Sequence, residues 1–180
     1  MFGIQFGIVV LAWVLAWLFR LDLAGEIRFD LTAVNLSLIG TLPLLLLVWQ
    51  LGRAGWTWVE QLQELMRTIV VPLFRGAPAG TLFLVSLLAG IGEELLFRGV
   101  IQHGLSGVIG PWAGLIVASV LFGAVHALTP AYFVLATIMG FYLGLIYLWT
   151  GNLLIPILIH FLYDWVVLRY YLLHRAAGSC

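Results

Sequence analysis

Six apolar runs, each near the length needed to cross a bilayer, constrain this chain more than anything else. A spanning helix needs about 20 mostly apolar residues. By that rule candidate spans fall at Phe2–Phe19, Leu31–Leu51, Ala79–Ile101, Pro111–Leu128, Ala131–Thr150 and Leu153–Leu173. Composition agrees: 63% of the 180 residues are hydrophobic and 9% are charged, against about 45–50% and ~25% in soluble domains. The expected architecture is an all-α, polytopic membrane bundle forming a single domain over residues 1–180. Inside lipid every backbone polar group must be satisfied within its own segment, and helices meet that demand.

The connections are short. Arg20 to Asp30 is a charged loop, Thr129-Pro130 separates the fourth and fifth spans, and Gly151-Asn152 turns into the sixth. The amino terminus lacks a charged start and a small-residue cleavage site, so Met1–Phe19 reads as a retained helix, not a secretory signal. Cys180 stands last, without the three following residues of a prenylation box, and reads as an inert tail residue. The formal net charge is zero and there is no lysine, so the composition offers no basic footprint for nucleic acid. Arg53, Arg67, Arg75, Arg169 and Arg175 share one side of a six-crossing topology, against Arg20 and Arg28. The positive-inside rule then puts both termini in the cytoplasm, for a chain read as residing in a bacterial inner membrane. Trp49, Trp56, Trp58, Trp112 and Trp149 lie near span ends, where aromatic belts form.

Between the second and third spans the pattern changes. Trp56, Val59, Leu62, Leu65, Met66, Ile69, Val70 and Leu73 form a helical apolar stripe, with Glu60, Gln61, Gln63, Glu64 and Arg67 opposite. This is an amphipathic helix expected to lie on the membrane rather than cross it. It serves either as an interfacial anchor or as a gate over a substrate site.

The spans contain charges that lipid should exclude. One ionised side chain at mid-bilayer costs at least ~2.5–3.5 kcal/mol. Glu93, Glu94 and Arg98 nevertheless sit together in the third span. Glu94 and Arg98 are four apart and suited to an ion pair, whereas Glu93 is turned about 100° away and finds no partner in its own helix. His126 lies in the fourth span, and His160 and Asp164, also four apart, in the sixth. Counted along alternating helices, Glu93 lies about 20 Å deep, His126 about 22 Å and His160 about 10–12 Å, so the three can meet. Singly, each has a plain structural use: His126 as an interhelical hydrogen bonder, Asp164 as a partner of Arg169, Glu94 as a brace for Arg98. Jointly they mark a functional site by default. His103, His174, Asp22, Glu26 and Asp30 read as interfacial or solvent-facing.

A glutamate beside a histidine can take a proton from water and return it to a leaving amine, and a second histidine can donate to an oxyanion. Asp164 is placed to orient His160. Ser86, Ser106 and Ser119 lack a nucleophile-elbow context, which leaves direct attack by water.

The three motifs, Glu93-Glu94…Arg98, Phe122…His126 and His160…Asp164, occur in order on separate spans. In this the chain resembles the CPBP family, the intramembrane glutamic endopeptidases that include CAAX prenyl proteases and bacteriocin-processing enzymes. The resemblance covers about residues 79–169. It implies cleavage of a membrane-anchored protein or peptide in the lipid bilayer, without metal or cofactor. Glu93 would be the base acting on water, His126 its helper, and His160 with Asp164 the oxyanion site. Glu94 and Arg98 would brace the helix and bias the charge on Glu93. The prenyl proteases carry Asn at the position of Asp164, and an ionised Asp cannot donate a hydrogen bond. Asp164 is therefore either protonated or confined to orienting His160. Three other readings stand beside this one. A zinc protease would use Glu93, His126, His160 and Asp164, but has no His-Glu-x-x-His here. A non-catalytic immunity or partner protein would keep the fold alone. A proton-coupled transporter would be expected to show an internal repeat.

Overall fold

A computed structural model describes residues 2–74, 76–78 and 80–176, with the side chains of 174–176 excepted. Ala79, Cys180, Arg75 and the side chains of His174 and Arg175, on which expectations above rest, lie outside the described residues.

The described residues are helical throughout their regular structure. Helix α1 spans Phe2–Phe19 and α2 spans Leu31–Arg53. The amphipathic stretch forms α3, Thr57–Leu65, and then loosens into a π turn, Met66–Val70, and a 3₁₀ turn, Val71–Phe74. Helix α4, Thr81–Glu94, runs without a break through a π segment, Leu95–Gln102, into α5, His103–Ile109. Helices α6, Pro111–Val125, α7, Pro130–Thr150, and α8, Leu154–Ala176, complete the order.

Four helices, α1, α2, α7 and the Leu154–Leu173 part of α8, are long and apolar enough to cross a membrane by themselves. The other two expected spans take a different form. The third is one rod whose geometry changes at Leu95, and the fourth stops at Val125, three residues before its expected end. The outer surface is apolar, with Trp17, Ile39, Ile138 and Trp149 all exposed. A soluble protein rarely carries such continuous apolar cover, and an integral membrane protein requires it.

Small residues let the rods approach. Ala12 and Ala16 of α1 are fully buried against the α4 rod. A methyl group on Gly90 of α4 would lie 2.8 Å from the Ile157 carbonyl oxygen of α8, so only glycine permits this crossing. That contact sets the distance between the helix bearing Glu93 and the one bearing His160.

The first loop is less free than its charges suggest. Leu23 is buried beside Gly99, Asp30 caps α2 by accepting from Ala33 N at 2.7 Å, and Asp22 accepts from Gly25 N at 3.0 Å. Asn152 accepts from the Arg28 backbone N–H and donates to its carbonyl, tying this loop to the start of α8. Glu26 pairs with His103 at 2.7 Å and accepts from the Tyr147 hydroxyl. His103 and Glu26 were expected to be interfacial or solvent-facing; His103 is exposed and Glu26 half-buried, and the two are in addition partnered, because the α4 rod and α7 converge at this end.

The amphipathic stretch keeps its expected polar face, with Glu60, Gln61, Glu64 and Arg67 exposed. Of the apolar stripe only Val59 is buried in the protein, and Trp56, Ile69 and Leu73 are exposed. It rests on α2 and α7 and forms one wall of a cavity of about 440 Å³.

Candidate active site

The site forms where α4, the end of α6, and α8 converge on that cavity. Glu94 is fully buried, and its Oε1 accepts from Arg98 Nη1 at 2.8 Å. Arg98 also donates from Nη2 to the Gly140 carbonyl of α7 at 2.8 Å, with its guanidinium 4.7 Å from the centroid of the Phe122 ring. Gln102, one turn on, repeats the pattern by donating to the Gly144 carbonyl at 2.9 Å. Both anchors sit in the π segment, a geometry common at functional sites and unmarked by local sequence.

His160 Nδ1 lies 2.7 Å from the same Glu94 Oε1. A carboxylate paired with arginine only accepts, so Nδ1 carries the proton and Nε2 points away, toward the cavity. This contact was not anticipated. Asp164 had been expected to orient His160, but its Oδ2 is 3.6 Å from Nε2, beyond hydrogen-bond reach. Glu94 holds the ring instead, and Asp164, with 28% of its side chain exposed, faces the cavity.

His126 owes its aim to the early end of α6. Its backbone N–H turns to the Gly123 carbonyl at 3.0 Å, which frees the Phe122 carbonyl for His126 Nδ1 at 2.8 Å. A carbonyl only accepts, so here too Nδ1 is the protonated nitrogen and Nε2 faces inward. Thr129 caps α7 by accepting from Tyr132 N at 3.1 Å, and the chain returns directly into the bundle.

Both Nε2 atoms converge on one oxygen, Glu93 Oε2, at 3.5 Å from His126 and 4.0 Å from His160. That oxygen is buried and has no hydrogen-bond partner. Neither imidazole bonds it directly, and Glu93 lines the cavity from which a water can approach its carboxylate. Phe122 supports the group from below, its ring centroid 4.6 Å from that of His126 and 5.9 Å from that of His160. Tyr132, which no sequence pattern singled out, sits edge-on to His126 at 5.9 Å. All the expected site residues, Glu93, Glu94, Arg98, His126, His160 and Asp164, thus fall within one connected cluster. Three carboxylates face one guanidinium, so a neutral cluster needs two protons shared among Glu93, Asp164 and the two imidazoles. Such an arrangement can accept and release protons without exporting charge into lipid. Among the described residues, no three His, Cys, Asp or Glu side chains form a group that could hold a metal ion.

A family model described as type II CAAX prenyl endopeptidase Rce1-like matches residues 75–166. YpbD of Bacillus subtilis (strain 168), an uncharacterized protein, is 41% identical over 83 residues, which span 44% of this chain and 40% of that protein. The chain therefore aligns with less than half the length of this curated relative. No solved structure shows a significant match. The family segment contains the whole cluster, from Glu93 to Asp164, and covers half of the residues. The chain belongs to the type II CAAX prenyl endopeptidase Rce1-like family.

Proposed function

We propose that this protein is an intramembrane endopeptidase of the glutamic type, hydrolysing a peptide bond of a membrane-associated protein or peptide with water activated by Glu93 and His126. The observation that carries the reading is the unpaired Glu93 Oε2 with two imidazole Nε2 atoms aimed at it. A water bonded to Glu93 gives its proton to the carboxylate as its oxygen attacks the scissile carbonyl. The carbonyl oxygen becomes an oxyanion beside His160. Because His160 Nδ1 is committed to Glu94, an Nε2–H is available only on the imidazolium, a charge that Glu94 and Asp164 flank. Collapse of the intermediate breaks the C–N bond, and the proton held by Glu93 passes to the leaving amine. Glu94 and Arg98 act by position, holding His160 from behind.

The apolar cavity, lined by Leu47, Leu62 and Met66 as well as the polar cluster, suits a hydrophobic peptide segment entering from the lipid side. The family's name points toward carboxyl-terminal CAAX processing as one form of such a substrate. We place the protein in a bacterial plasma membrane, in line with its similarity to a Bacillus subtilis protein, and both termini in the cytoplasm, on the arginine distribution. The test compares peptide termini in the membrane proteomes of cells carrying wild-type protein or Glu93→Gln. Termini present only with wild type are expected; identical sets would overturn the proposal in favour of a non-catalytic partner.

A further inference from the structure

In this chain, helical hydroxyls habitually bond to the carbonyl four residues back. Ser37, Thr41, Thr68, Ser106, Ser119, Thr137 and Thr150 all do so, at 2.6–2.8 Å. Ser86 of α4 does not. Its Oγ is buried and has no hydrogen-bond partner, although the residue is only 1% exposed. Gln5 on α1 is half-buried, and its Oε1 is likewise buried without a hydrogen-bond partner. Both residues line the cavity that ends at Glu93, and α1 packs on α4 there, with a methyl on Gly92 falling 3.3 Å from the Gln5 carbonyl. A buried polar atom left without a partner costs about 1–3 kcal/mol. Two such atoms in the wall of one cavity call for a ligand.

We propose that Ser86 and Gln5 bind the backbone of the peptide being cleaved. This rests on the endopeptidase reading above. Ser86 and Glu93 are seven residues apart, two helical turns on one face, so Ser86 lies about 10.5 Å along the axis from the base. An extended peptide advances ~3.3 Å per residue, which puts Ser86 opposite the peptide group about three residues from the scissile bond. A peptide extended inside a membrane protein has no internal partners for its N–H and C=O groups, and each left bare costs several kcal/mol. Gln5 Oε1 accepts an N–H, and the Ser86 hydroxyl can accept one or donate to a carbonyl. Such contacts read shape rather than sequence, and hold the strand in register for attack.

The test uses the full chain in lipid nanodiscs and an internally quenched peptide built on the Glu93-dependent cleavage site from the terminus comparison. A series replaces one backbone amide at a time with an ester, which removes the N–H and weakens the carbonyl as acceptor. With wild type, kcat/KM should fall about tenfold for the ester roughly three residues from the scissile bond. Ser86→Ala should lose about tenfold on the all-amide peptide and nothing further on that ester. Its thermal midpoint should stay level or rise, because an orphaned hydroxyl has gone. Gln5→Met should show the same non-additivity at a different bond. Additive losses, or indifference of wild type to every ester, would overturn the inference while leaving the endopeptidase reading in place. Absence of any cleavage that Glu93→Gln abolishes would remove that reading and this inference with it.

Discussion

Arg98→Met should separate the structural from the chemical use of the buried charges. In wild type the Glu94 carboxylate is wholly buried, compensated by Arg98 at 2.8 Å and by His160 at 2.7 Å. Removing the guanidinium strands that carboxylate in a medium where a broken buried pair costs about 3–5 kcal/mol. It also removes the Arg98 bond to the Gly140 carbonyl and the cation above Phe122. Against a total stability of ~5–15 kcal/mol this is a large fraction. Adding Glu94→Gln removes the stranded charge while a carbonyl oxygen still accepts from His160 Nδ1. The double variant should therefore regain most of the lost stability, about 2–3 kcal/mol, by the same argument. Its activity should stay depressed, because a neutral amide no longer supports an imidazolium at His160. Unfolding by SDS titration in mixed micelles, followed by fluorescence of the 8 tryptophans, reads the first quantity, and peptide cleavage the second. An Arg98→Met variant within ~1 kcal/mol of wild type, or a double variant less stable than the single, would refute this account of the brace.

Other perturbations bear on separate links. Gly90→Ala forces a methyl against the Ile157 carbonyl and should cost ~1–3 kcal/mol, with cleavage falling further than stability as Glu93 moves from His160; melting and activity on the same preparation measure both. His126→Ala should leave the fold unchanged, since the ring is partly exposed at a helix end, but lower kcat by about 10²–10⁴ in a cleavage assay. Treatment with a strong chelator should leave cleavage by purified protein at its original rate, and loss of activity restored by added zinc would revive the metalloprotease reading.

Much of this arrangement was legible in the residues, for a physical reason. Charged groups in apolar runs are costly enough to be conspicuous, so Glu93, Glu94, Arg98, His126, His160 and Asp164 stood out without any structure. Helices α1, α2, α7 and α8 fall within a few residues of their expected bounds, because long, mainly apolar runs define them, with a capping Asp30 before α2 and Thr129-Pro130 at the start of α7. What escaped depends on tertiary contacts. The π segment from Leu95 coincides with the bonds from Arg98 and Gln102 to carbonyls on α7, partners more than forty residues away. The grip of Glu94 on His160 crosses between two helices, while spacing within a helix suggested only Asp164. The early end of α6 was hidden because Ala127 and Leu128 continue its apolar run. Phe122 was visible as a motif position, and its use as the support beneath Arg98, His126 and His160 emerged only from packing.

The central claim is that the carboxylate of Glu93 activates the attacking water. The most direct measurement compares single-turnover cleavage of the identified peptide by wild type and Glu93→Gln, in nanodiscs, at matched thermal midpoints. A glutamine preserves shape and burial but cannot take the proton, so the rate should fall by at least ~10². A Glu93→Gln protein that cleaves within a few-fold of wild type would contradict the account.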